Sequence, residues 1–411
     1  MRGSGSEEKY GEKSSLSKSS DSSFWKNVLG RRRSPRHSIE DHEKLDSLDA
    51  IRSEEATLNP FLLAGMRAGL VVDPRRLSSS SSLFPQKKTL FRFCSNSGAD
   101  EVMMAQSVST KSVVVEISGC TISTYPMSKS NGLREGSPVC DSFGIEVLSD
   151  DRVALCVADG CGWGENSLLA SGRASVALLD NLRDASHHET ELLYALASAH
   201  NSIIAETRIS GTTTILGGII VPGESAGSFR FLFVSVGDCK AYCRSGETGE
   251  VVDLNVVTRM SEQDAKDPGG RIGPYGKNGE PDLRNFFVGS VSVNVGDMIL
   301  LMSDGVADNF DAEFNGCLPS DHGMSEASWK DVPDVEKFKS KLCCSKMTEL
   351  LRNVSSCKSV AQTVLSFCKE LTINSREFLE NSEKEKLPDD YKKYPGKMDH
   401  ATCLCVRMMQ K

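Results

Sequence analysis

Val153-Ala154-Leu155-Cys156-Val157-Ala158-Asp159-Gly160 is an apolar run that stops at an aspartate beside a glycine. An uninterrupted run of this length suits a strand covered on both faces. The same ending recurs: Phe229–Val236 runs into Gly237-Asp238, and Met298–Ser303 into Asp304-Gly305. In the reverse sense, Asp399 precedes the last run, Thr402–Met408. A single Asp-Gly reads as a hairpin turn, because glycine tolerates positive φ and aspartate favours turns. Several of them, all at the ends of buried runs, can gather on one edge of a sandwich as a cluster of carboxylates. Such a cluster repels itself unless cations neutralise it. Oxygen ligands without histidine or cysteine select Mg²⁺ or Mn²⁺ over zinc, and a pair of such ions would clamp a phosphate and activate a shared water.

Working outward, further β-branched runs lie at Val113–Ile117, Phe143–Leu148 and Thr213–Val221. Leu168, Leu169, Val176, Leu179 and Leu182 share one face of a helix starting near Glu165, and Leu192, Leu196, Ala199 and Ile203 share a face of a second. Residues 331–380 hold more amphipathic helix, with Val360, Val364, Cys368 and Leu371 on one stripe. Paired strands, then helices, then more strands predict an α+β fold and not βαβ alternation.

The first hundred residues differ in texture. They contain twenty serines, and 17 basic against 13 acidic residues give them +4, whereas the whole chain is −8. So little apolar content cannot offset chain entropy, so residues 1–110 are expected to be a largely disordered, basic, Ser-rich segment with one short helix near Pro60 to Gly69. A domain is expected over 111–411. Arg31-Arg32-Arg33-Ser34-Pro35-Arg36 and Arg75-Arg76-Leu77-Ser78 set serines beside arginines, which makes Ser34 and Ser78 candidate kinase targets. The alternatives for these clusters are nuclear import, or a solvated tail with no partner. Nucleic acid is not an expected partner, and a monomer is expected.

With 39% hydrophobic residues and no stretch near ~18–20 apolar residues, a membrane span is not expected. The N-terminus, acidic early and without an apolar core, does not read as a targeting segment. Fourteen scattered cysteines without a Cys-x-x-Cys pair read as reduced thiols, which points to the cytoplasm, with the nucleus as a second compartment. No cysteine has an arginine six positions on, so a cysteine-phosphatase loop is excluded, and neither Gly276-Lys277 nor Gly396-Lys397 completes a Walker loop. Cys403 and Cys405 lack a second pair at zinc spacing and read as core.

The motifs together resemble the PPM family, the type 2C metal-dependent serine/threonine phosphatases. Val157-Ala158-Asp159-Gly160-Cys161-Gly162-Trp163-Gly164 is similar to its V-A-D-G-H-G-G, and Gly211-Thr212-Thr213-Thr214 to its G-T-T-A. Val236-Gly237-Asp238-Cys239-Lys240-Ala241-Tyr242 is similar to V-G-D-S-R-A-Y. Met302-Ser303-Asp304-Gly305-Val306-Ala307-Asp308-Asn309 resembles S-D-G-L-W-D-N, and Asp399-His400-Ala401-Thr402 stands where D-N-x-T is expected. The resemblance spans about residues 112–408, in family order. It implies a four-layer sandwich: two central antiparallel β-sheets flanked on both faces by antiparallel helices.

It also implies a site. Asp159 would bridge two Mg²⁺ or Mn²⁺ ions, the Gly160 carbonyl would ligate one, and Asp304 and Asp399 would complete the other's carboxylates. Asp238 and Asp308 match the acids of a weaker third ion, and Asp141 the early acid of the family. Arg134 is the candidate for the arginine that grips phosphate. Cys161 stands where animal relatives have the histidine that protonates the leaving group. Other departures are Cys140 for glutamate, His400 for asparagine, and Arg134 seven residues before Asp141. The implied activity is hydrolysis of phosphoserine or phosphothreonine on phosphoprotein substrates. The alternative is an inactive relative that keeps the fold as a partner-binding scaffold.

Overall fold

The computed structural model describes residues 60–70, 88–185, 188–206, 210–256, 267–382 and 385–411. Ser34, Ser78 and both basic clusters lie outside the described residues. Strands β1 (Thr89–Ser95), β2 (Glu101–Ser109), β3 (Val113–Ser123), β4 (Asp141–Leu148), β5 (Val153–Asp159) and β6 (Ile215–Pro222) come first. Then follow β7 (Ser228–Val236), β8 (Lys240–Arg244), β9 (Val251–Asp253), β10 (Phe287–Asn294), β11 (Met298–Met302) and β12 (His400–Gln410). They form two six-stranded antiparallel sheets, ordered β1-β4-β5-β6-β7-β10 and β2-β3-β12-β11-β8-β9.

The apolar runs dictate the layering. Strands covered on both faces need a partner layer on each side, and both sheets have one. Between the sheets, Phe143, Leu155 and Phe231 of the first meet Ile117, Ile299 and Leu404 of the second. Outside the first sheet lie helices α2 (Glu165–Leu182) and α3 (Glu189–Ile204), whose Ala170, Ala174, Leu178 and Leu196 cover Ala154, Cys156 and Ile219. A short helix, α4 (Asp304–Ala307), follows β11. Helices α5 (Val335–Leu350) and α6 (Cys357–Leu371) cover the second sheet through Met347, Val360 and Val364, and α7 (Ile373–Asn381) follows. This is the expected four-layer α+β sandwich. All fourteen cysteines are free thiols, and Cys403 and Cys405 sit in the core of the second sheet. Among the described residues, no helix is long and apolar enough to cross a membrane.

One boundary is corrected. The range 1–110 was expected to be largely disordered, yet β1 and β2 lie inside it and pair along β4 and β3. The short helix, α1 (Pro60–Arg67), also joins the fold: Phe61 and Leu62 are buried, and Leu62 packs on Leu193 of α3. The Phe61 ring meets His200 edge-on at 5.6 Å. With Phe61 at 1% exposure, Phe61→Ala is expected to destabilise the protein by about 3 kcal/mol in denaturant titration. A loss below ~1 kcal/mol would mean that α1 is not part of the cooperative core.

Candidate active site

The strand register brings the acids together. In the β4–β5 pair Asp141 stands directly opposite Asp159, a like-charge pairing that is destabilising unless compensated. The second sheet supplies the facing acids: Asp304 opens α4 at the end of β11, and Asp399 precedes β12. Thr402 Oγ1 donates to Asp141 Oδ2 at 2.7 Å, joining the two sheets at this edge. Ser303 locks the same corner, its Oγ accepting from the Thr402 N–H at 2.9 Å.

The Gly211-Thr212-Thr213-Thr214 motif holds Asp159 by its backbone. Thr213 Oγ1 donates to the Asp159 carbonyl at 2.7 Å, and the Thr214 N–H does so at 2.9 Å. Thr213 also pairs with Ile272, so the stretch 267–282 borders the site. Arg284 forks across Asp267 and Asp282 and holds this stretch in place, its hydrogen bonds drawing the Asp267 carboxyl down to about 2.

Burial and crowding raise three of the acids. Asp159 is held well above the usual carboxylate range by burial, with the charges of Asp141, Asp304 and Asp399 adding to it. Burial pushes Asp141 up to about 7 against the hydrogen bonds of Thr402 and Ser303. Asp399 is raised by burial, with Lys397 opposing. Asp238 follows β7 and, with Asp304, acts on the thiol of Cys161. Asp308 follows α4 and is buried.

The remaining expected residues are Cys161, Arg134 and His400. Burial pushes the Cys161 thiol up to about 11, with Arg271 as the main opposing charge. Arg134 donates to the Tyr125 carbonyl at 2.7 Å and pairs with Asp100 at 3.7 Å; among the described residues it contacts none of the clustered acids. His400 accepts from the Cys140 N–H through Nδ1 at 3.2 Å, and burial lowers it to about 4, so it is neutral at pH 7. Three residues not singled out in the sequence also stand here. The Tyr125 hydroxyl donates to Asp399 Oδ1 at 3.0 Å. Arg271 carries a buried Nε with no hydrogen-bond partner. Lys397 pairs with Asp304, with Asp308 at 3.1 Å and with Asp399 at 3.0 Å. Lys397 lies two residues before Asp399, and that proximity was the one signal of it in the sequence.

The donors fit hard divalent ions by their chemistry: they are carboxylate oxygens, and Asp141 Oδ1 is a buried acceptor with no hydrogen-bond partner that a cation would satisfy. Among the described residues, no three His, Cys, Asp or Glu side chains are already drawn together closely enough to hold an ion. The ammonium of Lys397 stands among three of the acids.

No family model matches the chain. The PP2C-like domain-containing protein CG9801 of Drosophila melanogaster is 29% identical over 209 residues, 47% of this chain and 29% of that protein, so the match spans under a third of the relative's length. Among solved structures, a phosphatase from a pathogenic strain of Toxoplasma gondii is 13% identical over 76% of this chain and 96% of its own, with a TM-score of 0.47. The photosystem II phosphatase PBCP is 20% identical over 71% and 98%, with a TM-score of 0.43. The catalytic domain of the serine threonine protein phosphatase PstP, in complex with two manganese ions, is 14% identical over 72% and 100%, with a TM-score of 0.40. The ordered motifs and the sandwich of two six-stranded sheets agree with this similarity to a PP2C-like domain-containing protein.

Proposed function

We propose that the chain hydrolyses phosphoserine and phosphothreonine on proteins in a reaction that needs Mg²⁺ or Mn²⁺. The observation that carries this reading is the meeting of acids from both sheets at one edge, tied by Thr402 to Asp141. Asp159, Asp304 and Asp399, with the Gly160 carbonyl, would hold two ions, and Asp238 and Asp308 a weaker third. Bound there, the ions supply an activated water and positive charge for the phosphoryl oxygens.

The chain's own groups do the rest. Thr213 and Thr214 fix Asp159, and Tyr125 orients Asp399. Arg134 and Arg271 are the two candidates to grip the phosphate as a fork. Arg271 has the better placement, since its charge reaches Cys161 beside Asp159. With its thiol raised, Cys161 stays protonated at neutral pH, and a thiol is a weaker acid than an imidazolium for the leaving alkoxide. Trp163, 58% exposed and edge-on to Tyr125 at 5.3 Å, offers a substrate peptide an aromatic surface.

The second reading, an inactive scaffold, draws on Lys397, whose ammonium already compensates three of the acids. The test is phosphate release from a phosphothreonine peptide. Activity is expected with Mn²⁺ and is expected to vanish in excess chelator. Activity that persists in chelator would sink the divalent-ion reading.

A further inference from the structure

Lys397 is built into the acidic centre and does not merely reach it. Its backbone N–H donates to Asn309 Oδ1 at 2.9 Å, and its carbonyl accepts from Asn309 Nδ2 at 3.0 Å. The same Asn309 amide donates to the Gly305 carbonyl at 2.7 Å, and Asn309 is fully buried. One side chain therefore ties the Lys397 backbone to α4, which carries Asp304. The preceding Gly396 N–H donates to the Phe314 carbonyl at 2.7 Å, fixing the loop from its other side. From this anchor the side chain, 18% exposed, carries its ammonium to Asp304, Asp308 and Asp399 together. An exposed lysine pairs loosely and contributes little. A lysine held by its own backbone among three largely buried carboxylates has little freedom to lose and much charge to balance.

We propose that Lys397 is an internal counter-cation of the acidic centre: it supplies one of the positive charges that hold these acids together, and it competes with divalent ions for Asp304, Asp308 and Asp399. The competition rests on the divalent-ion reading above; the counter-charge does not. A second cation at Asp304 or Asp399 must either displace the ammonium or sit against it, and like charges a few ångströms apart oppose each other strongly in a partly buried site.

The test uses the full chain with Lys397→Met and Lys397→Arg, and Lys397→Gln in place of Met if that variant does not fold. In calorimetric titration with MnCl₂, Lys397→Met is expected to bind Mn²⁺ roughly tenfold or more tighter than the natural protein, with Lys397→Arg close to the natural protein. In chelator, Lys397→Met is expected to melt lower by about 3–6 °C, and added Mn²⁺ to restore it. Unchanged or weaker Mn²⁺ binding by Lys397→Met would overturn the competition. Equal melting of Lys397→Met and the natural protein in chelator would overturn the counter-charge. If neither protein binds Mn²⁺, the divalent-ion reading fails and the competition with it, while the metal-free melting still judges the counter-charge on its own.

Discussion

Asp159→Asn is expected to lower phosphate release from a phosphopeptide by ~10²–10³-fold or more while raising the melting temperature of the metal-free protein. The two effects have one cause. Asp159 lies opposite Asp141 in the sheet and feels Asp304 and Asp399, so its charge works against the fold and toward cations. Removing that charge relieves the fold and disables the centre. The pH dependence follows from the same acids. Burial raises Asp141, Asp159 and Asp399 on folding, so above about pH 4 these groups bind more protons in the folded state than in the unfolded one, and their contribution to stability falls as pH rises. For Asp141 the fall continues to about pH 7, its folded value. His200 and His400, lowered by burial to about 4, work in the opposite sense up to about pH 6.5, so the comparison is between proteins. The melting advantage of metal-free Asp159→Asn over the natural protein should grow from pH 5 to pH 7.5. An advantage that shrinks between these values, or Asp159→Asn melting below the natural protein at pH 7.5, would contradict the assignment of Asp159 as a crowded, raised acid.

The second large effect is expected at Gly305. Its residue conformation is helical, with Asp304 at the start of α4. On helix propensity alone, alanine there would stabilise by about 1 kcal/mol. Space decides otherwise. A Cβ on Gly305 would stand 1.9 Å from the His400 carbonyl oxygen and 3.0 Å from Asp399 Cβ. The nearer obstacle is backbone, so α4 or the start of β12 must move. Gly305→Ala is expected to destabilise by about 3 kcal/mol, or about 6–12 °C in melting temperature. Because the clash lies between Asp304 and Asp399, phosphate release should fall with it. A variant as stable as the natural protein would show that this close approach is not required.

Gly305 also marks where the sequence is ambiguous. Asp-Gly after an apolar run has the composition of a hairpin turn, and nothing local distinguishes a glycine needed for its φ from one needed for close packing. Gly237, at φ +105°, is of both kinds, since an added Cβ would also stand 2.4 Å from Thr214 Cβ, whereas Gly305 is of the second alone. What the run of acids does announce is their shared position at strand ends, and the antiparallel pairing of β4 with β5 turns that into contact.

The strands that escaped the sequence have a common physical reason. Sheet edges β1, β2, β9 and β10 are each covered by a neighbour on one side only, so they carry mixed residues such as Thr89-Leu90-Phe91-Arg92 and Val291-Ser292-Val293-Asn294 in place of continuous apolar runs. β8 is internal but only five residues long, and begins with Lys240. The interior strands β3–β7, β11 and β12 read directly, because burial on both faces demands apolar residues throughout. The placement of Lys397 and Arg271 was hidden for another reason. Their places depend on Asn309 and on the Thr213–Ile272 bridge, contacts between distant segments that leave no periodicity.

The central claim is that acids drawn from both sheets make one hydrolytic centre. Phosphate release from a phosphothreonine peptide in Mn²⁺, measured for the natural protein beside Asp304→Asn, tests it most directly. The expected result is turnover by the natural protein and a rate ~10²-fold or more lower for Asp304→Asn. Equal rates for the two proteins, or no release by the natural protein while it binds Mn²⁺, would contradict the account.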